Sequence, residues 1–387
     1  MPAGAAAPTS QSSLLRLGRL YLPPVAIGTL AIVGGLVAWS GVMAGTFGYD
    51  FLAYHQAANR LLAGLPLYDP ALKSLHASGV SDVGAVVPFL YPPPFALAFI
   101  PLAPLPSAAA GVVWLGLSLM AVIVAIWVLP ISAQARWVTL LLAGLSWPVA
   151  YAMKLGQVSP LLLLLFAVGW RYLARPAAVG LSAGMGALVK IQPALLLLWA
   201  LVTRRWMVAV VGVAFIILAA GLSILAAGGV SDWTDYVALL RAVGDPVATP
   251  GNLSPGAVIY RTLNVPIGFA AAIQAASSAG ALVFVALSVL RGTPVSSYLA
   301  AVIASQLVSP VIWEHYAMLL LLPVAWLMDK GHSWSIAVPL VTSVFVFFWV
   351  PPVIYPAAFW LTLVATVAIG SRERGERSPA ANLTASS

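Results

Sequence analysis

The chain has 387 residues, 62% of them hydrophobic and only 7% charged, with a mean hydropathy of +1.01. That balance excludes a soluble globular protein and implies a polytopic membrane protein, because one bilayer span takes ~20 apolar residues. The absence of cysteine excludes disulfides, thiol catalysis and cysteine metal sites.

In hydrocarbon the backbone bonds only within helices or closed barrels, and the alternating segments of a barrel are missing. The predicted fold class is therefore all-α. A single membrane domain covers 21–370, between a cytoplasmic tail (1–20) and a polar, disordered tail (371–387). The run from Tyr21 to Ala44 is too long for a signal core and reads as a first span with its N-terminus inside. The first large outside loop then covers about 45–106. It holds Asp50, the first acid after 49 residues without one. Its apolar piece 95–105 is bounded by prolines at 92–94, 101, 104 and 106, so it reads as interfacial or re-entrant. Runs at 107–130, 137–153 and 157–174 follow. Two half-length runs, 177–189 and 191–203, are broken at Lys190-Ile191-Gln192-Pro193. Glycines 180, 184 and 186 would let another helix pack closely on the first of them. A second outside loop spans about 230–265. Later runs, one of them 333–350, bring the expected count to about twelve membrane helices. Short interfacial helices are expected in both large loops.

The charges explain the net +8 better than nucleic-acid affinity does. On this layout twelve of the eighteen bases are cytoplasmic and seven of the ten acids lie outside, as the positive-inside rule requires. Arg60, Lys73, Lys154, Lys190, Arg241 and Arg261 break the rule, which makes them candidates for anion binding.

Three outside elements gather polar residues at one membrane face. These are the first loop with Asp50, the Lys154–Gln157 turn with the Lys190 break, and the Ser309–Tyr316 segment with His315. The set suits a lipid-linked anionic substrate: cations for a phosphate, aromatics for a sugar, and a carboxylate to take a proton from an attacking hydroxyl. Each residue also has a plainer reading. Asp50 could cap the helix over 51–63. Lys190 could snorkel from a helix end. His315 could be satisfied at the interface while Glu314 faces water. Arg241 and Arg261 could be solvated loop residues. Tyr54, His55, Tyr91, Trp313, Glu314 and Tyr316 complete the candidates as possible substrate contacts, with Tyr91-Pro92-Pro93-Pro94 mainly shaping the chain. Two histidines at unrelated positions, His55 and His315, are weak support for a metal, so neither metal nor cofactor is expected.

The chain resembles glycosyltransferase family 87, within the GT-C superfamily. The residues carrying the resemblance are Asp50-Phe51-x-x-Tyr54 with Gly64-x-Pro66-Leu67-Tyr68-Asp69, and Tyr91-Pro92-Pro93-Pro94. Gly156-Gln157-Val158-Ser159, Gly180 through Lys190-x-x-Pro193, and Ser309-Pro310-x-x-Trp313-x-His315-Tyr316 follow in the same order. The family often has Asn where this chain has Ser159 and a second His where it has Tyr316. The resemblance implies a GT-C fold in a bacterial plasma membrane, with the active site on the extracytoplasmic side. It implies transfer of mannose from a polyprenyl-phosphate donor to a glycolipid or glycan acceptor. Asp50 would be the base, and His315, Lys190, Lys154, Gln157, Arg241 and Arg261 would hold the donor. Arabinofuranose from decaprenyl-phosphate arabinose is the alternative sugar. A lipid or solute transporter is the alternative of another class, but no internal repeat supports it.

Overall fold

The computed structural model describes residues 10–45, 47–68, 89–226, 229–242 and 245–376. Asp69, Lys73, His76, Asp82, Arg377 and the rest of the C-terminal tail lie outside the described residues.

Proline sets where helices begin, and glycine sets where they touch. The first helix, α1 (Ser10–Met43), starts inside the expected tail and carries Pro23 and Pro24 within it. Helix α2 (Tyr49–Leu62) opens on Gly48, whose φ of 71° lies in the left-handed region. Helices α3 (Pro93–Leu97), α4 (Ser107–Val128) and α5 (Ala133–Leu145) follow. Between α3 and α4 the prolines admit only a short 3-10 turn, Ile100–Leu102, in place of a span. Helices α6 (Trp147–Leu155), α7 (Ser159–Arg171) and α8 (Pro176–Val189) each carry proline in their first two positions. There the missing N–H costs nothing.

The two half-length apolar runs are separate helices. α8 stops at Lys190, whose backbone is extended (φ −147°, ψ 144°). A 3-10 turn, Gln192–Ala194, leads into α9 (Leu195–Val202). Pro193 helps to end α8, since it offers no N–H to the Val189 carbonyl four residues back. Helix α10 (Trp206–Ala226) lies close against α8. A Cβ on Gly180 would come within 2.6 Å of the Val208 carbonyl oxygen, and one on Gly184 within 2.7 Å of that of Gly212. α11 (Val230–Ala242), α12 (Pro255–Leu263), α13 (Ile267–Arg291) and α14 (Pro294–Leu307) come next. A 3-10 stretch, Glu314–Leu320, runs into α15 (Leu321–Asp329). α16 (Ala337–Leu340) is a single turn, and α17 (Ile354–Glu376) closes the described chain.

The described residues are thus all-helical, apart from one isolated bridge between Ser146 and Ser343. Five helices are long and apolar enough to cross a membrane: Tyr21–Met43 within α1, then α4, α10, α13 and α17. The expected count of about twelve therefore rests also on shorter apolar helices such as α7, α8 and α14. The expected run 137–153 breaks at Ser146, whose backbone is extended (φ −74°, ψ 118°), into α5 and α6, and the expected run 333–350 does not form a continuous helix either. Residues 333–350 break into short turns, and the Trp147 N–H donates to Thr342 while the Val344 N–H donates to Leu145. Pro339 and the β-branched, aromatic stretch beyond it disfavour a helix there. α17 continues to Glu376, so the first residues of the expected polar tail are helical.

The buried side chains form one connected cluster from Ala26 to Val367. The 309–316 segment is held onto this core from the side. The buried Asn252 amide donates to the carbonyls of Pro246 and Pro310, and its oxygen accepts from Ser254 and Ile312. Gln274 adds donations to the carbonyls of Leu307 and Ser309.

Candidate active site

Two glycines bring the start of α2 against the end of α6. Gly156 ends α6 with φ 68°, and a Cβ there would meet that of Phe51 at 2.6 Å. The Gly48 N–H donates to the Lys154 carbonyl at 2.8 Å, and the Trp114 indole donates to the Gly156 carbonyl at 2.7 Å. No larger residue fits at Gly156 without moving α2. This contact sets Asp50 beside Gln157, 107 positions away in sequence.

Asp50 sits in the first turn of α2, where the helix dipole favours a negative charge. It is half-buried, and its Oδ2 accepts from Gln157 Nε2 at 2.8 Å. The orientation of that amide is decided by its other end. Gln157 Oε1 accepts from the Val158 N–H at 3.3 Å and from the Tyr91 hydroxyl at 3.5 Å. Tyr91 has a single proton, so the Tyr54 hydroxyl 2.8 Å away must donate to it. The result is one directed chain, Tyr54 to Tyr91 to Gln157 to Asp50. Tyr68 pins the same loop by donating to the Tyr91 carbonyl at 2.7 Å. Rings of Phe95, Phe99 and Trp114 surround the fully buried Tyr54.

Burial pushes the Asp50 carboxyl up from its ordinary 3.8 to about 6, against the opposing pulls of the Gln157 hydrogen bond and the Lys190 charge. Lys190 stands at the helix break, its Nζ 4.0 Å from the centroid of the Tyr316 ring. Among the described residues neither Asp50 nor Lys190 is in an ion pair. Gln192 lies against the Tyr316 hydroxyl and donates to Ser309 Oγ at 2.7 Å. His315 completes this side. It is 2% exposed, and neither of its ring nitrogens has a hydrogen-bond partner. Its ring lies 4.9 Å from that of Tyr316 and 6.3 Å from that of Tyr151. A buried imidazole left unsatisfied costs ~1–3 kcal/mol unless something binds it.

Several expected site residues have other work. His55 is held by the Leu105 carbonyl at 3.1 Å and by Asn59 at 3.3 Å, so both its nitrogens are occupied. Glu314 accepts from the Trp147 indole at 2.5 Å, and that indole ring stacks on Tyr151 and Phe347. Trp313 packs over Gly251. Arg261 donates to the carbonyls of Thr249 and Asn252, and thus braces the clasp around Ile312. Arg241 is exposed in the last turn of α11. Lys154 lays its stem on Gly41 at the end of α1. Of the six expected donor-binding residues, Gln157 bonds Asp50, Lys190 acts on it through its charge, and His315 lies on the Lys190 side beside Tyr316 and Tyr151. Trp147 and Tyr151, which sequence reasoning passed over, line the same region. Among the described residues no three His, Asp or Glu side chains gather in a way that could hold a metal ion.

The model of glycosyltransferase family 87 matches residues 89–310. That stretch holds Tyr91, Gln157 and Lys190, with Asp50 and His315 on either side of it. A polyprenol-phosphate-mannose-dependent alpha-(1-2)-phosphatidylinositol pentamannoside mannosyltransferase of Mycobacterium tuberculosis is 28% identical over 257 residues, 63% of this chain and 59% of the relative. A polyprenol-phosphate-mannose-dependent alpha-(1-2)-phosphatidylinositol mannoside mannosyltransferase of the same organism is 27% identical over 329 residues, 78% of this chain and 75% of the relative. No solved structure matches the chain.

Proposed function

Because this chain belongs to glycosyltransferase family 87, we propose that it moves a sugar from a polyprenyl-phosphate donor to a hydroxyl of a glycolipid or glycan. Mannose is the sugar that the printed activities of both relatives favour. The reaction runs at the outer face of a bacterial plasma membrane, the face to which the charge distribution assigns Asp50. The acceptor oxygen attacks the anomeric carbon while Asp50 takes its proton. The bond from that carbon to the phosphate oxygen breaks, and the phosphate leaves with the electron pair. Lys190 and His315 hold the phosphate as its charge grows, and one displacement inverts the anomeric centre.

One observation carries this reading. A carboxylate anchored by Gln157 shares a wall of the bundle with a lysine at a helix break and a buried histidine with no partner. An unspent cation and an unspent imidazole near an anchored base are what a phosphate leaving group requires.

The test is transfer by purified protein from polyprenyl-phosphate mannose to a phosphatidylinositol mannoside. Asp50→Asn keeps the Gln157 hydrogen bond and removes the base, so transfer falls by roughly 10²–10⁴. Transfer retained in that variant would remove Asp50 from the mechanism. No consumption of any polyprenyl-phosphate sugar would remove the reaction.

A further inference from the structure

Helices α4 and α7 both run from the neighbourhood of Asp50 to the other end of the bundle. Phe51 packs on Gly111 near the start of α4, and Gln157 precedes α7 by two residues. The 22 residues of α4 span ~33 Å at 1.5 Å per residue. At the far ends of these helices lies an open hollow of about 750 Å³, with Trp127, Ser132, Arg136, Arg171, Tyr172 and Asp329 in its wall.

The two arginines reach this hollow from different helices, Arg136 from the first turn of α5 and Arg171 from the last turn of α7. Among the described residues no carboxylate pairs with either. Arg136 donates through Nη2 to the carbonyls of Leu129 and Ile131 and lies over the Trp127 ring at 5.4 Å, while its Nε is buried without a partner. Arg171 is exposed and makes no hydrogen bond to a described residue. The one carboxylate in the wall, Asp329, accepts from the Ser132 N–H at 2.8 Å. Three other cations in the bundle are spent. Lys330 pairs with Glu373 at 2.7 Å, Arg205 donates to the Leu173 carbonyl, and Arg374 donates to carbonyls of Val289, Leu290 and Gly292. Trp127 and Trp137 form an edge-on pair beside the hollow, and tryptophans of membrane proteins collect at the interface where lipid phosphates lie.

We infer that this hollow is a second, non-catalytic site that holds the phosphodiester headgroup of an anionic phospholipid. Two guanidiniums offer paired donors to one phosphate. A basic pocket between membrane helices, at the end where bases collect, meets the anionic leaflet. The inference does not depend on the transferase reading, because no residue of the hollow belongs to that site.

The test is native mass spectrometry of the full chain in micelles supplied with phosphatidylglycerol or phosphatidylcholine. Phosphatidylglycerol is expected to stay bound in preference. Arg171→Gln should weaken its retention by about fivefold, and Arg136→Gln with Arg171→Gln by about thirtyfold. Asp329→Asn, which keeps the Ser132 bond, should strengthen it. Arg136 also braces two carbonyls, so if its variant does not fold, Arg171→Gln and Asp329→Asn decide the matter alone. Donor consumption by Arg171→Gln should match the parent. Equal retention of both lipids, retention unchanged by Arg171→Gln, or displacement by millimolar inorganic phosphate would each overturn the site.

Discussion

Asp50 stands between two walls built on opposite terms. On one side, Tyr54, Tyr91 and Gln157 form a run of hydrogen bonds in a single direction that ends on the carboxylate. On the other, Lys190 has only the face of Tyr316, and His315 has no partner at either nitrogen. A satisfied network fixes a geometry, and each of its bonds is rigid because the alternative is an orphaned buried group. An unsatisfied cluster costs stability in the empty protein and repays it when an anion arrives. On the proposed mechanism the first wall orients the base and the second wall binds the donor phosphate.

The largest effect on the binding wall comes from emptying it. Lys190→Ala and His315→Ala should each raise the KM for the polyprenyl-phosphate donor by roughly tenfold to a hundredfold, the worth of a charge-assisted hydrogen bond at ~1.5–3 kcal/mol. The Tm should change little, because removing a group buried without a hydrogen bond offsets the lost packing and, at Lys190, the lost contact with the Tyr316 ring. Initial rates against donor concentration, read beside a thermal melt, decide the point. A fallen Tm with an unchanged KM would make this wall structural.

The orienting wall should fail differently. If Asp50 is the base, as proposed, it works only when ionised, so transfer should fall as the pH drops through about 6, where burial has pushed its carboxyl. The Gln157 hydrogen bond and the Lys190 charge both pull against that rise. Gln157→Leu should therefore move the acid limb of the kcat profile upward by about one pH unit, with little change in donor KM. Lys190→Ala should move both the limb and the KM, and His315→Ala only the KM. The same limb in Gln157→Leu as in the parent would show that this bond does not tune the base.

The two walls also differ in how far the sequence discloses them. Lys190 before Pro193 is visible because a charge and a proline interrupt an apolar run, and both disruptions are local. The 309–316 turn stands out for the same reason. Tyr91 and Gln157 are visible as candidates, but their role is not. The Gln157 amide reads equally as a phosphate ligand until Asp50, 107 positions earlier, is seen to occupy it. Glu314 likewise reads as a free acid until the Trp147 indole, 167 positions away, reaches it. Asn252 and Gln274 look like ordinary loop and helix polars, and they prove to be the clasp behind His315. Helix breaks follow from residues in place, whereas satisfaction of polar groups follows from partners that only the packed chain supplies. The run 333–350 shows the converse limit: hydropathy alone marks a span, and Pro339 with its β-branched neighbours withholds the helix.

The smallest effects lie deepest in the orienting wall. Tyr91→Phe removes the proton donated to Gln157 Oε1, but the Val158 N–H still holds that oxygen at 3.3 Å. At 3.5 Å the lost bond is long and hence weak. The amide is then less firmly oriented, and the acid limb should move in the same direction as in Gln157→Leu by less than half as much. The same change leaves the Tyr54 hydroxyl buried without an acceptor, so the Tm should fall by a few degrees, from ~1–3 kcal/mol of unmet hydrogen bonding. Tyr54→Phe sits one link further back. Tyr91 still donates to Gln157, and only an acceptor site on Tyr91 is vacated, so the pH profile should be that of the parent. If the two tyrosine variants instead shift the limb equally, the order of the chain is wrong. Tyr54 would then act on Asp50 by a route other than Tyr91.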